Sequence, residues 1–360
     1  MTKLFIKLFI LFIFLLNVFC IADAKDGKFV EVGKPEFEVK QVLTVDNKVI
    51  LLNNNWGTLK IAVFDNNLHK IVKSGEIPVK KSYNPTATVV NDKEICITIA
   101  TTEDKVRIYN YFIDLDSMKI KKIDTYYVKS NLCYSTQYVG DGNILFTGNF
   151  NTDDPQAFLL KDGKKTSLTG AEFNYRNPKI LKLNNNQYII VGSLKDRRDD
   201  ITEIDLFDAL TKTAKEIYRE KIQGYSFSDA FLMSNNRLAV VIGDNPSTPY
   251  MHKKLLLIDL KTGKVLNEGD LNPDSKLVQT SIAQTINDKL IIYGGATGLH
   301  KPNNKAFIYD VNKNTFTKSD RTHIYHQVNF SKNVLMKDGN TFLVGFLYYP
   351  EDSLIEIFVP

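Results

Sequence analysis

A tyrosine recurs in five short polar segments of the chain, KSYNP, NLCYS, NYRNP, QGYSF and HIYHQ. A phenol ring can stack on a sugar or a peptide while its hydroxyl group forms a hydrogen bond. We therefore predict a ligand-binding surface that includes Tyr83, Tyr175, Tyr225 and Tyr325. The alternative is that these rings, together with Tyr134, pack between neighbouring structural repeats, and this is the favoured interpretation for a residue that returns so regularly.

Three polar residues beside these tyrosines differ from segment to segment: Asn84, Arg176 and His326. Because they do not repeat, they are better candidates for specificity, and they complete the predicted ligand-binding set. A strand would place His323 and His326 on opposite faces, so the two could ligate one metal only from a loop. We predict no metal and no cofactor, and the sequence identifies no catalytic residue.

Well-known catalytic motifs are absent from the sequence. It contains no glycine-rich phosphate loop, no nucleophile elbow, no HExxH and no cysteines at metal-binding spacing. The paired carboxylates Asp153-Asp154 and Glu351-Asp352 fall in predicted loops without a partner acid at a defined distance, so they give no support to glycoside hydrolysis.

The elements that must position these residues are set by a repeat. A polar turn of Asp, Asn and Gly followed by five or six β-prone residues occurs seven times, as DNKVILLNN, NDKEICITI, DGNILFTGN, NNQYIIVGS, NNRLAVVIG, NDKLIIYGG and DGNTFLVGF. The turns begin 44 to 52 residues apart, at Asp46, Asn91, Asp141, Asn185, Asn235, Asn287 and Asp338. Such residues tolerate the positive φ of tight hairpins, so each copy is predicted to be the middle of a hairpin.

Each repeat supplies further β runs around this hairpin. One run precedes the turn, a third ends in Asp or a close substitute (IAVFD, YFIDL, AFLLKD, LLLIDL, AFIYD), and a weaker fourth follows. Four antiparallel strands in about 50 residues are typical of a β-propeller blade. The sequence therefore predicts an all-β, seven-bladed β-propeller that occupies residues 25–360 as a single domain.

The repeats resemble those of the kelch family. The best copy is the sixth, in which Gly294-Gly295, Tyr309-Asp310 and Thr315-Phe316 follow one another in the kelch order, whereas in other copies the glycine pair is degenerate. The tryptophan-aspartate repeat family fits less well, because its Gly-His and Trp-Asp pairs are absent and Trp56 is the sole tryptophan. In kelch-like propellers, the loops between second and third strands and the loops between blades share one rim, where function usually lies.

The kelch resemblance also brings two enzymes into consideration. Galactose oxidase needs two histidines, two tyrosines and a crosslinked cysteine for copper, and no such constellation is recognisable here. The secreted kelch-type N-acetylneuraminate epimerase matches better in size and export. By that resemblance, Arg176, Arg197, Arg198 and Arg321 would bind the sialic acid carboxylate, and Glu172 or Asp229 would move the proton.

The two ends of the chain are predicted to pair. The last residues, DSLIEIFVP, form a β run in a seventh repeat that lacks a fourth strand, and a further β run, KFVEVG at Lys28–Gly33, precedes the first repeat. Placing the two runs side by side would close the ring and remove two exposed strand edges.

The first 24 residues read as a secretory signal peptide. Lys3 and Lys7 precede an apolar stretch, and Ala22-Asp23-Ala24 provides a small-x-small cleavage site. An uncleaved anchor is the alternative, but the uncharged run is shorter than the roughly 20 residues of a spanning helix. Lipid attachment at Cys20 is a further alternative, which Phe19 disfavours. We therefore expect a protein exported to the bacterial periplasm or secreted, with no membrane span after cleavage.

Charge and cysteine content narrow the class of partner. The 46 basic residues nearly balance 41 acidic ones, and a net charge of +5 is too mild to indicate a nucleic acid partner. Only Cys96 and Cys133 remain after cleavage, and the sequence leaves open whether they form a disulfide. We expect a monomeric module that binds a protein or a glycan through its loop face. A carbohydrate enzyme such as a sialic acid epimerase is the alternative.

Overall fold

A computed structural model describes residues 27–360 except 56, 80–82, 102–105, 129–131, 151–156, 171–174, 196–199, 223, 245–251, 275–276, 279, 298–300, 323, 325–331 and 347–352. The predicted signal peptide lies outside the described residues. The regular structure that is described is entirely β, and this part of the chain contains no helix with the length and apolarity needed to cross a membrane.

The described strands are β1 (Lys28–Gly33), β2 (Gln41–Val45), β3 (Lys48–Asn55), β4 (Thr58–Asp65), β5 (Lys70–Pro78), β6 (Tyr83–Asn91), β7 (Glu94–Ala100), β8 (Val106–Asp114), β9 (Ile120–Val128), β10 (Leu132–Tyr138), β11 (Ile144–Phe150), β12 (Ala157–Lys161), β13 (Lys164–Ser167), β14 (Tyr175–Lys182), β15 (Gln187–Lys195), β16 (Asp200–Asp208), β17 (Thr213–Lys221), β18 (Tyr225–Met233), β19 (Arg237–Asp244), β20 (Lys253–Asp259), β21 (Val265–Asp270), β22 (Leu277–Val278), β23 (Ser281–Thr285), β24 (Lys289–Tyr293), β25 (Ala296–Thr297), β26 (Lys301–Pro302), β27 (Ala306–Asp310), β28 (Thr315–Lys318), β29 (Lys332–Leu335), β30 (Thr341–Phe346) and β31 (Ser353–Val359).

These strands form seven four-stranded antiparallel blades, which confirms the predicted seven-bladed propeller. Blades 1 to 5 are β2–β5, β6–β9, β10–β13, β14–β17 and β18–β21. Blade 6 is β23, β24, β27 and β28, and a small sheet of β22, β25 and β26 accompanies it. Blade 7 is β29, β30, β31 and β1. The first strand of each blade lies innermost, and side chains link these strands around the ring: the Gln41 amide donates to the Ala87 carbonyl, and the Asn333 amide to the Ile282 carbonyl.

All seven predicted turns connect the first and second strands of a blade. Asn235 and Asn236, with φ of 58° and 54°, show the two successive positive φ angles of a tight hairpin. The turns at Asn91 and Asn185 also reverse the chain direction, but by a different hydrogen-bonding arrangement. There an asparagine side chain accepts backbone N–H groups, Asn91 from Lys93 and Asn184 from Asn186, so no positive φ is needed.

The aspartate that ends the third strand shapes the turn that follows. Asp65 Oδ1 accepts the backbone N–H groups of Asn67 and Leu68, and the equivalent Asp208, Asp259 and Asp310 each accept two N–H groups in the same way. A carboxylate at this position therefore fixes the connection to the fourth strand, which explains why the sequence repeats it.

The first and last described strands meet in blade 7. Strand β1 pairs antiparallel with β31, with Phe29 opposite Phe358 and Val30 opposite Ile357. The rings of Phe29 and Phe358 lie 5.1 Å apart between centroids. The N-terminal strand thus occupies the outer position of a blade whose three inner strands come from the C-terminus. Its contribution to ring stability stays a prediction.

Buried apolar side chains form the core between neighbouring blades. Strands in the middle of a blade are buried on both faces, as in β7, where Ile95 to Ile99 are almost fully buried and successive residues face opposite neighbours. One cluster joins Phe231 and Leu255 of blade 5 to Ile282 and Tyr309 of blade 6. Blade-to-blade packing of this kind leaves the innermost strands to line a central channel.

The two ends of the channel differ in their connections. Short turns between first and second strands and between third and fourth strands leave one end of each blade. The longer connections between second and third strands and between blades leave the other, because successive strands are antiparallel. We call these the turn-rich and the loop-rich ends.

Candidate functional site in the central channel

An ion pair between two innermost strands marks the channel wall. Lys179 of β14 and Asp229 of β18 approach to 2.5 Å between Nζ and Oδ1, and both side chains are about one-third exposed. Asp229 Oδ1 also accepts the backbone N–H of Ala230 at 2.8 Å. No described residue donates to the second carboxylate oxygen, Oδ2, which therefore keeps its capacity to accept a hydrogen bond from a ligand.

Beside this pair lies a cavity of about 90 Å³ between the inner parts of blades 5, 6 and 7. Two apolar side chains, Val241 and Ile282, form part of its wall. Its polar lining consists of Ser228, Asp229, Lys253, Ser281 and Asn333. Lys253 and Ser281 each begin a strand, so the cavity lies towards the loop-rich end.

Lys253 is the most unusual residue of this lining. Its side chain is buried, with 4% exposure, and its ammonium group donates to the Thr280 carbonyl. Burial lowers the pKa of Lys253 to about 8, an effect that the nearby Asp229 carboxylate partly opposes. No carboxylate among the described residues lies in ion-pair contact with it.

Two further residues leave polar atoms available to the cavity. The Ser281 hydroxyl is buried and has no hydrogen-bond partner among the described residues. The Asn333 amide donates to the Ile282 carbonyl at 3.0 Å, which leaves its Oδ1 as an acceptor. Buried hydroxyls are normally satisfied, so an unpaired one that lines a cavity suggests a group that binds there.

Lys332 adds positive charge near Asp229. Lys332 begins β29 and is partly buried, and this burial lowers its pKa, with the Asp229 carboxylate opposing the shift and Lys40 adding to it. Lys40 itself is paired with Glu38. The cavity and its surroundings therefore offer ammonium and hydroxyl donors beside two acceptors, Asp229 Oδ2 and Asn333 Oδ1.

Of the predicted ligand-binding residues, Tyr175 is placed in the core. Its side chain is 0% exposed, and its hydroxyl donates to the Asp205 carboxylate and, at 3.4 Å, to Glu203. Burial and these two carboxylates raise the pKa of Tyr175 well above its usual value. The position therefore has the packing role that the sequence offered as the alternative.

Two other tyrosines of the five recurring segments have described side chains. Tyr134 packs over Phe146 with its hydroxyl 3.4 Å from the Thr98 carbonyl oxygen, and burial raises its pKa. Tyr225 is partly exposed, and the Lys254 ammonium lies 4.6 Å from its ring centroid. Of these tyrosines, Tyr225 keeps the exposure that ligand stacking needs.

The remaining predicted residues have no described side chain. Tyr83 and Asn84 lie in β6 and Arg176 lies in β14, so their backbones are placed near the loop-rich end of the channel. Tyr325 and His326 lie outside the described residues, as do Glu172, Arg197 and Arg198. Their roles in ligand binding stay predictions.

The sequence pointed to Asp229 but not to its neighbours in the channel. Lys253 stands beside Lys254 in the segment HKK, where both look like solvent-exposed charges. In the structure the two lysines differ, because Lys253 is buried and Lys254 is exposed. The alternation of faces along a strand was the available signal, but it does not say which face turns inward.

The described His, Cys, Asp and Glu side chains do not cluster as metal ligands would. No group of three or more His, Cys, Asp and Glu side chains stands close enough for a metal within the described ranges. Cys96 has a free, buried thiol, and burial raises its pKa.

No protein-family model matches the chain, and no curated protein matches it in sequence. Solved structures do match in shape. The hydrazine synthase of Kuenenia stuttgartiensis is similar over 91% of this chain and 96% of that one, with a TM-score of 0.58 and 12% identity. The fold is that of a β-propeller.

A second similar structure is the β-propeller domain of Cps50 (Swd1) from Myceliophteria thermophila. It covers 92% of this chain and 99% of its own, with a TM-score of 0.55 and 10% identity. Similarity at this level of identity establishes the fold alone, so function must be argued from the site.

Proposed function

We propose that this protein is an exported interaction module, of the kelch type suggested by its repeats, that binds a protein or a glycan at the loop-rich end of its channel. The observation that carries the proposal is the polar cavity beside Asp229, to which three blades contribute side chains. Convergence of donors and acceptors from separate elements on one concavity is typical of a ligand site. Propellers commonly serve as interaction modules, which agrees with this role.

The test is to probe glycan and peptide arrays with the labelled protein and with two matched double variants. Lys179→Met with Asp229→Asn removes the ion pair at the cavity. Lys337→Met with Asp46→Asn removes an exposed ion pair between blades 7 and 1 at the turn-rich end. Both changes conserve net charge, and exposed pairs contribute only about 0–1 kcal/mol to stability.

We expect an array ligand whose binding falls about tenfold or more in the first variant and is unchanged in the second. Equal binding by both variants, or a loss confined to the turn-rich variant, would place the interaction elsewhere and refute the proposal. The melting temperature of each variant serves to exclude unfolding as the cause of lost binding.

A further inference from the structure

Among the described residues, the channel wall carries more positive charge at partly or fully buried positions than its carboxylates neutralise. Lys179, Lys253 and Lys332 stand around the single carboxylate of Asp229, and that carboxylate is already paired with Lys179. The nearby Lys40 and Glu38 neutralise one another. Two partly or fully buried ammonium groups thus remain without an ion-pair partner among the described residues.

Burying an ammonium group without an ion-pair partner lowers the stability of the folded protein. A charge removed from water needs a counter-charge or several hydrogen bonds to offset its lost hydration. Lys253 has one hydrogen bond, to the Thr280 carbonyl, although its ammonium group can donate three. An anion in the adjoining cavity would accept a second bond from Lys253 and would supply the missing negative charge.

The other lining groups define what else the occupant must carry. The unpaired Ser281 hydroxyl can donate to an anion, and Ser228 also lines the cavity. Asp229 Oδ2 and Asn333 Oδ1, in contrast, can only accept. A purely anionic ligand would face two acceptors without a donor, so the fitting ligand also bears hydroxyl groups.

The size of the cavity limits how much of a ligand it can hold. About 90 Å³ is several times the roughly 10–15 Å³ that one water needs, yet well below the roughly 300–1,000 Å³ of a pocket that encloses a whole small molecule. The cavity therefore suits the end group of a ligand, whose remainder would extend towards the channel mouth.

We propose that this cavity is a subsite for a carboxylate group flanked by hydroxyls, in which Lys253 and Ser281 donate to the carboxylate while Asp229 and Asn333 accept from the hydroxyls. The subsite deepens, and rests on, the interaction role proposed above. It assigns the bound end of the ligand to the class of hydroxy-carboxylic acids.

Three probes of nearly equal length test the two chemical requirements separately. Gluconate carries a carboxylate and hydroxyls, sorbitol carries hydroxyls alone, and hexanoate carries a carboxylate alone. In calorimetric titrations of the purified protein we expect gluconate to bind about tenfold or more tightly than either of the others. Sorbitol or hexanoate binding as tightly as gluconate, or inorganic phosphate binding more tightly, would overturn the proposal.

Neighbouring lysines provide the matched variants. Lys253→Met keeps the length of the buried chain but removes its charge, and should weaken gluconate binding about tenfold or more. Lys254→Met, on the exposed face of the same strand, should leave the affinity unchanged. If Lys253→Met does not fold, Ser281→Ala supplies the second test, with a loss of about threefold to tenfold expected. Unchanged affinity in the folded variant would overturn the assignment.

The pH dependence offers an independent readout. The pKa of Lys253 is about 8, and among the described residues the charged group that interacts with it is Asp229, which is itself paired with Lys179 and also interacts with Lys332. Gluconate affinity should fall as the pH rises above about 8, because the amine loses its proton. An affinity that does not change between pH 7 and 9.5 would contradict the assignment to Lys253.

The two proposals fail in different ways. Absence of gluconate binding together with an array ligand sensitive to Lys179→Met/Asp229→Asn would remove the carboxylate subsite and leave the interaction role intact. Absence of both would remove the role itself.

Discussion

At the scale of the residue, the position of a side chain in the repeat does not determine whether it is buried or exposed. Tyr175 and Tyr225 hold the same place in their repeats, yet one is buried against carboxylates and the other is partly exposed beside Lys254. The difference arises from blade 4 itself, because Glu203 and Asp205 lie two apart in β16 and so face the same side. They provide the acceptors that draw the Tyr175 hydroxyl inward.

These buried carboxylates predict an unusual pH response. Burial raises the pKa of Asp205 to about 6, with hydrogen bonds from Tyr175 opposing the shift, whereas an unfolded aspartate has a pKa near 3.9. The folded state therefore binds more protons between about pH 4 and 6, and the contribution of Asp205 to the free energy of unfolding falls as the pH rises through that range.

Asp205→Asn should remove this pH dependence while keeping an acceptor for Tyr175. At pH 7 the variant should be more stable than the wild type, by at most about 3 kcal/mol. Urea unfolding at pH 4, 5, 6 and 7 measures the difference, with Asp92→Asn, at an exposed turn position, as control. A difference between variant and wild type that does not change with pH would show that Asp205 is ionised throughout.

At the scale of the element, the N-terminal strand β1 is the strand whose role can be tested most directly. β31 is buried along nearly its whole length, and β1 covers the edge that would otherwise be open. An uncovered edge of an apolar strand invites pairing with another molecule. β1 is thus expected to protect the protein from aggregation as well as to stabilise blade 7.

Deletion of residues 25–34 should cause unfolding or aggregation, as measured by light scattering and thermal melting. The point variant Phe29→Ala, which removes the ring contact with Phe358, should cost about 2 kcal/mol of the free energy of unfolding. Glu31→Ala, on the exposed face of β1, is the control and should have little effect. A deleted chain that melts like the wild type would show that blade 7 does not depend on β1.

At the scale of the whole molecule, stability depends on the seams between blades. Blades 5 and 6 are joined at the turn-rich end by Arg237, which bonds to Asp288 and Asn312 and is mostly buried. Blades 7 and 1 are joined at the same end by Lys337 and Asp46, which are both exposed. Both seams therefore contain an ion pair between a basic and an acidic side chain, but the first pair is mostly buried and the second is exposed.

The burial difference predicts unequal costs of breaking the two seams. Arg237→Met should lower the free energy of unfolding by about 1–3 kcal/mol, because the partly buried Asp288 keeps its hydrogen bonds from Ser234 but loses its cationic partner. Lys337→Met should change it by less than about 0.5 kcal/mol, because water replaces the ammonium group. Urea denaturation of both variants gives the comparison, and equal effects would mean that seam burial does not matter.

The sequence by itself determined the seven blades and the order of strands within each. These features depend on local chemistry: turn residues such as Asn235 adopt positive φ, third-strand residues such as Asp65 bond to the turn that follows, and β runs alternate between two faces. Each of these signals acts within a few residues, so each can be recognised in the sequence. The β run near the N-terminus, which pairs with the last strand, can be recognised in the same way.

Only the tertiary structure decided which polar residues meet. Lys179, Asp229, Lys253 and Ser281 are spread over about a hundred residues and three blades, and no local pattern joins them. Whether Lys253 or Lys254 turns inward, and whether Tyr175 is buried, depends on how each blade packs against its neighbours. Strand alternation supplies two equivalent faces, and the choice between them is a long-range energy of burial that a local pattern does not contain.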